Sequence, residues 1–251
     1  MSPEAILAFP IAKFPIVKPH DNLVKLILEA EKNSKRRLKD GDIIVIASKI
    51  VSVSESRVVN SEVVAPSLKA REIASKNGFD PIHVELAIRE STEIIQTDGV
   101  LITETHSGLV CNFSGVDKSN APEGKYILLP EDPDASAQRL QDALSKATGK
   151  KLAIIISDTQ GRPWRNGSLN VAIGCAGIAP FKYNKGKRDL YGRVLKRSTV
   201  CQIDEIAMLA EPLLGQAGQR TPVVIVRGYS YTDSEESAKD INRPKDEDMF
   251  R

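Results

Sequence analysis

Leu152 to Ile156 is an unbroken apolar run. It stops abruptly at Ser157-Asp158-Thr159-Gln160-Gly161-Arg162-Pro163-Trp164-Arg165-Asn166-Gly167. The run reads as a buried strand, which commits the chain to a sheet. The polar stretch delivers an Asp, a Thr, two Arg and the only Trp of the chain to that strand's C-terminal end. Such ends are where α/β proteins most often place their chemistry. A carboxylate with a hydroxyl suits a hard divalent cation such as Mg²⁺ or Mn²⁺. Arg162 and Arg165 suit carboxylate or phosphate groups. Two readings stand on this stretch alone. One is metal-assisted handling of an anionic substrate; the other is a capped strand-to-loop turn beside a surface basic patch.

The remaining elements are read from periodicity and caps. Residues 4–18, with Pro10 and Pro15, read as a strand or extended arm. Asp21 is the expected N-cap of a helix from Asn22 to about Arg37. Ile43 to Ala47 reads as a β-branched buried strand and 56–64 as a second strand. Pro66 opens a helix closed by Gly78, and Asp80-Pro81 starts another. Strands are expected at 99–104 and 109–113, and a helix from Ala135 to Ala147, ended by Gly149. The strand at 152–157 is followed by one at 168–174, an exposed loop at 180–193 and a helix over 200–214. Pro222 to Arg227 is the last strand, and 232–251 is a polar tail. Helices and strands mix without strict alternation, which favours an α+β fold over a doubly wound sheet.

A length of 251 residues fits one large domain or two intimate lobes, and no repeat or linker marks a cut. The apolar share of 41% supports a proper core, and a net charge of +2 gives no case for nucleic acid or membrane. No apolar run approaches the ~18 residues of a membrane span, and Met1 to Lys18 lacks a signal-peptide pattern. Cys111, Cys175 and Cys201 have no metal spacing and read as reduced packing residues. A cytoplasmic location is expected. With only His20, His83 and His106 in the chain, a His-based zinc site or a nucleophile–His pair is disfavoured.

Three further polar constellations stand out. Gly115-Val116-Asp117-Lys118-Ser119-Asn120 offers a second Asp just after a strand. Asp117 either converges with Asp158 on a metal pair or closes an Asx turn. Leu213-Leu214-Gly215-Gln216-Ala217-Gly218-Gln219 either lets backbone approach a ligand or is a helix C-cap. Ser48-Lys49 ends the Ile43–Ala47 strand, as a phosphate contact or a solvated strand end. No G-x-x-x-x-G-K-[ST] and no G-x-G-x-x-G occurs, so any nucleotide site here is unusual.

Taken together, these motifs resemble the coenzyme F420-0:L-glutamate ligase family through nearly the whole chain. The shared marks include Phe14-Pro15-Ile16-Val17, Gly41 to Lys49, Gly115 to Asn120 and Leu128 to Ala137. Ser157 to Gly167, Val171 to Gly177, Asp189 to Arg193, Asp204 to Ala207, Gly215 to Ala217 and Pro222 to Gly228 complete them. The resemblance implies a GTP-dependent amide ligase that adds L-glutamate to F420-0, and further γ-linked glutamates where the chain is extended. It implies an unusual α+β fold of mixed and antiparallel sheets with flanking helices, forming an intertwined homodimer. Two divalent metals, Mg²⁺ or Mn²⁺, would sit at the nucleotide, with K⁺ assisting. By position, Asp117 and Asp158 would ligate one metal, and Thr159 and Gln216 the second. Phe14, Pro15, Ile16, Val17, Ser48, Lys49 and Asn120 would line the GTP site, with Leu214, Gly215, Gln216, Ala217 and Gly218 in the loop to Thr221. Relatives often carry Lys where this chain has Val53, and Glu or Gln at Gln216. Some bacterial relatives add a flavin-binding, nitroreductase-like domain, whose activity a chain of this length is expected to lack. The residues also fit an amide ligase for another small carboxylate, or a non-catalytic nucleotide-binding protein.

Overall fold

The computed structural model describes residues 5–34 and 36–250. The first and last residues of the expected N-terminal arm and polar tail, and residue 35, lie outside them. In chain order the elements begin β1 (Leu7–Pro10), α1 (Leu23–Ser34), β2 (Ile43–Ala47), α2 (Ser48–Ser54) and β3 (Val58–Asn60). They continue with α3 (Leu68–Asn77), α4 (Pro81–Arg89), β4 (Ser91–Gln96), β5 (Ile102–Thr105), β6 (Val110–Asn112) and β7 (Lys125–Ile127). The last are α5 (Pro133–Thr148), β8 (Ala153–Arg162), β9 (Arg165–Ala176), β10 (Phe181–Tyr183), β11 (Thr199–Cys201), α6 (Gln202–Leu214) and β12 (Val223–Arg227).

Three apolar runs, β2, β8 and β12, form the middle of a five-stranded sheet of order β1-β12-β2-β8-β9. β2 and β8 are parallel and the other pairings antiparallel, so the sheet is mixed and the fold is α+β. Period-two alternation splits the runs between two layers. Ile44, Ile46, Ile154, Ile156, Val223 and Ile225 pack with Leu23 and Ile27 of α1 and Leu140 and Leu144 of α5. Ile43, Val45, Ile155, Val224 and Val226 face Ile203, Ile206, Ala207 and Ala210 of α6. With both faces covered, these strands carry no polar alternation, which is why they stand out in the sequence. Gly174 of β9 lies against α5: a Cβ there would meet the Pro133 carbonyl oxygen at 2.4 Å. Asp42, fully buried, is held by Arg227 through two bonds of 2.7 Å.

Between β3 and β7 the chain builds a smaller layer. β4, β5 and β6 form an antiparallel sheet, and β3 pairs β7. Helices α3 and α4 pack there through Ala70, Ile73, Ala74, Val84, Ala87 and Leu101. Among the described residues, no helix is long and apolar enough to cross a membrane.

Several expectations need correction. Asn22, not Asp21, caps α1, its Oδ1 accepting from the Lys25 N–H at 3.0 Å. Asp21 instead accepts from the Lys18 N–H. The helix ends at Ser34 rather than near Arg37. Ser157 to Gly167 is not a loop: β8 continues to Arg162 and turns tightly into β9. The stretch at 180–193 is not wholly loop, since β10 pairs with β11. The short strands β4 and β7 and helix α2 were not anticipated.

Candidate active-site cleft

The cleft forms where the parallel pair β2 and β8 ends, at Ala47 opposite Ser157. Beyond that point β8 loses its inner neighbour but stays paired with β9, so Asp158 and Thr159 are held on rigid extended backbone. β2 breaks directly into α2, and the first residue of that helix, Ser48, donates its hydroxyl to Asp158 Oδ1 at 2.6 Å. The next residue, Lys49, reaches across to Asp117 at 2.8 Å and Ser119 at 2.7 Å. Asp117 is fixed by backbone bonds to Ile127 in both directions. Its carboxylate accepts from the Ser119 N–H at 2.6 Å, so the expected Asx turn is formed. Gly115 makes this approach possible: its φ is +68°, and a Cβ would meet Leu129 at 2.5 Å.

The other wall comes from the two ends of the chain. Phe14 is tied to Arg220 by a 3.1 Å backbone bond, and the Arg220 guanidinium donates back to the Phe14 carbonyl. Gly215 takes the cap position of α6, but with φ 71° and ψ 168° it is extended rather than in the left-handed helical conformation expected of a glycine C-cap. The Thr221 hydroxyl donates to the Leu213 and Leu214 carbonyls left open at that end. Gln216 then projects toward β8 and donates to Thr159 Oγ1 at 2.9 Å.

The enclosed volume is about 410 Å³. Phe14 to Val17, Ser48, Lys49, Asn120, Asp158, Thr159 and Leu214 to Gly218 all line it, brought together from five separate parts of the chain. Asp117 sits one contact behind the lining, through Lys49. Val53 also faces the cleft, as part of an apolar wall with Ile50. Arg162 and Arg165 do not line it. They sit at the β8–β9 tip, where Arg162 bonds the Asn166 carbonyl at 3.3 Å and its Nε is buried without a partner. Trp164, between them, is 79% exposed and lies 5.7 Å from the Phe250 ring. Sequence reasoning missed Glu211 and Asn170, which also line the cleft. One signal for Glu211 was available: an acid in the last turn of a helix opposes the helix dipole.

The two aspartates are driven apart electrostatically. Removal from water raises the Asp158 carboxyl above its ordinary value, and the charge of Asp117 adds to this, against the Ser48 bond and Lys49. Burial also pushes Asp117 upward, but bonds from Lys49 and Ser119 outweigh it and leave Asp117 lowered. A cation between them would relieve the strain on Asp158. The donors on hand, carboxylate, hydroxyl and amide oxygens, are those a hard divalent ion prefers. The residues therefore fit Mg²⁺ or Mn²⁺, although no three His, Cys, Asp or Glu side chains are clustered among the described residues. The cysteines are not poised to react: burial pushes the Cys111 and Cys201 thiols up to about 12.

A cleft at the C-terminal ends of parallel strands, lined by carboxylate, hydroxyl and amide oxygens and a lysine, is of the kind that suits an anionic ligand. The model of the F420-0:gamma-glutamyl ligase family matches residues 12–228, and the chain belongs to that family. It is 44% identical over 240 residues to the coenzyme F420:L-glutamate ligase of Methanothermobacter thermautotrophicus, covering 94% of this chain and 95% of the relative. Against the enzyme of that name in Methanocaldococcus jannaschii the figures are 43% identity, 85% and 86%. For Archaeoglobus fulgidus they are 38%, 97% and 95%.

Proposed function

We propose that this chain joins L-glutamate to coenzyme F420-0 through an amide bond, driven by GTP. The carrying observation is the convergence of Phe14–Val17, Ser48, Lys49, Asn120 and Leu214–Gly218 on the one cleft that also holds Asp158 and Thr159. The name shared by the relatives supports the acceptor and the amino acid.

In this reading GTP lies along those segments. Asp117 and Asp158 hold one Mg²⁺ or Mn²⁺, and Thr159 with Gln216 a second. Such ions offset the repulsion between phosphate and attacking carboxylate and stabilise charge in the transfer. Lys49 adds a positive charge on the same side, while Arg220 keeps the Phe14 segment in place. A carboxylate oxygen of F420-0 attacks the γ-phosphorus, and the bond from phosphorus to the GDP oxygen breaks, giving an acyl phosphate. The glutamate amine attacks the acyl carbon, loses a proton, and phosphate departs. The chain's main contribution is position and fixed charge. Arg162 and Arg165 grip an acceptor carboxylate or phosphate from the hairpin tip, beyond the nucleotide cleft.

Incubation with GTP, Mn²⁺, L-glutamate and F420-0, read by mass spectrometry, tests this. The expected product is F420-0 heavier by one or more glutamates, with phosphate released. GTP turnover that requires a different carboxylate would reassign the acceptor, and failure to bind GTP would end the nucleotide reading.

A further inference from the structure

Four charged side chains line the cleft: Lys49, Asp158, Glu211 and Arg220. The proposed function uses three of them and leaves Glu211 without a role. Its position is electrostatically costly. It lies in the last turn of α6, at the negative end of the helix, and that turn contains no basic residue. It is also not isolated. Glu211 accepts from Gln216 Nε2, and the same nitrogen donates to Thr159 Oγ1. Glu211, Gln216 and Thr159 thus form one continuous row of oxygen-bearing side chains along the cleft wall.

The proposed first cation has two carboxylates, Asp117 and Asp158. The proposed second cation has Thr159 and Gln216, both neutral. Affinity of a hard cation for an oxygen site follows the number of charged ligands, so a second ion held only by these two groups would bind poorly. We infer that Glu211 supplies the missing carboxylate and is a ligand of the second divalent cation. This rests on the two-cation reading above. It also gives Gln216 a definite part: its amide nitrogen ties the Glu211 carboxylate to the Thr159 hydroxyl, and its side-chain oxygen would be a further donor to the ion. A carboxylate opposed to a helix dipole is then compensated by the ion it holds.

The test is a titration of Mn²⁺ into the protein with a non-hydrolysable GTP analogue, with free Mn²⁺ followed by electron paramagnetic resonance. The wild type is expected to take up two ions. Glu211→Gln is expected to keep the first and to bind the second at least about tenfold more weakly. The double variant Glu211→Gln, Gln216→Glu, which returns a carboxylate to the same row, is expected to regain the second. Melting of the ion-free variants reads their fold independently. Two ions bound by Glu211→Gln with unchanged affinities would overturn the assignment and leave the two-cation reading standing. A wild type that binds only one ion would remove that reading and this inference together.

Discussion

Asp158 is the residue on which the site turns. Burial and the neighbouring Asp117 hold its carboxyl above its ordinary value, so the folded chain resists ionising it. For a carboxyl raised in the fold, the cost is full above the folded value and is relieved as pH falls through it. At neutral pH the ion-free protein therefore carries a penalty that a bound cation would relieve. Asp158→Asn is expected to raise the melting temperature of the ion-free protein while lowering ligation by at least about a hundredfold. A variant that melts lower would contradict the electrostatic account, and one that turns over normally would contradict the metal assignment. The residue was legible in the sequence, since an Asp following an apolar run is conspicuous. Its bond to Ser48, 110 positions away, was not, because only the parallel pairing of β2 with β8 brings the two together. Glu211 escaped notice because it sits on a helix whose apolar stripe dominates the pattern.

At the scale of elements, the strands covered on both faces and the well-capped helices were read correctly. β2, the 153–156 part of β8 and the 223–226 part of β12 are apolar because helices cover both faces there. Asp80 caps α4 as expected, and Gly78 and Gly149 close α3 and α5. The polar hairpin was missed for a physical reason. Past Ser157 the strand has a single neighbour, so its side chains need not be apolar, and Gly161, Pro163 and Gly167 imitate a loop. β4 was hidden because only Glu90 separates it from α4. Asp80 also carries a prediction. Burial pushes its carboxyl up, but bonds from Lys118, Tyr126 and the Ile82 N–H take it from 3.8 down to about 2. A lowered carboxyl stabilises above its unfolded value and loses that contribution as pH falls toward its folded value. The stability of the small layer should therefore decline between pH 3.8 and about 2. Asp80→Asn should flatten that decline in acid melts, and an unchanged acid limb would remove Asp80 as its source.

The whole molecule is a sheet and its helices with a smaller layer inserted between β3 and β7, and the cleft draws on both. Asn120 and Ile127 of the lining, with Asp117 behind them, come from the insertion, and the rest of the lining comes from the main sheet and its flanking segments. An arm stands out between β10 and β11, with Leu190 99% and Tyr191 88% exposed. An exposed apolar tip of this kind favours association. We propose that this arm packs on a second copy, consistent with the homodimer that the family resemblance implies. Size-exclusion chromatography with light scattering is expected to return twice the chain mass for the wild type and a shift toward monomer for Leu190→Asp with Tyr191→Asp. A monomeric wild type would remove the proposal.

In the proposed reaction this cleft couples GTP to amide formation through the acceptor's own carboxylate, and the fate of the acceptor oxygen reports on it. F420-0 labelled with heavy oxygen in its terminal carboxylate is incubated with GTP, Mn²⁺, L-glutamate and the wild-type protein, and the released phosphate is weighed by mass spectrometry. The expected result is one heavy oxygen in each phosphate, with one amide formed for each GDP. Amide formation that leaves the phosphate unlabelled, or GTP cleavage without amide, would contradict it.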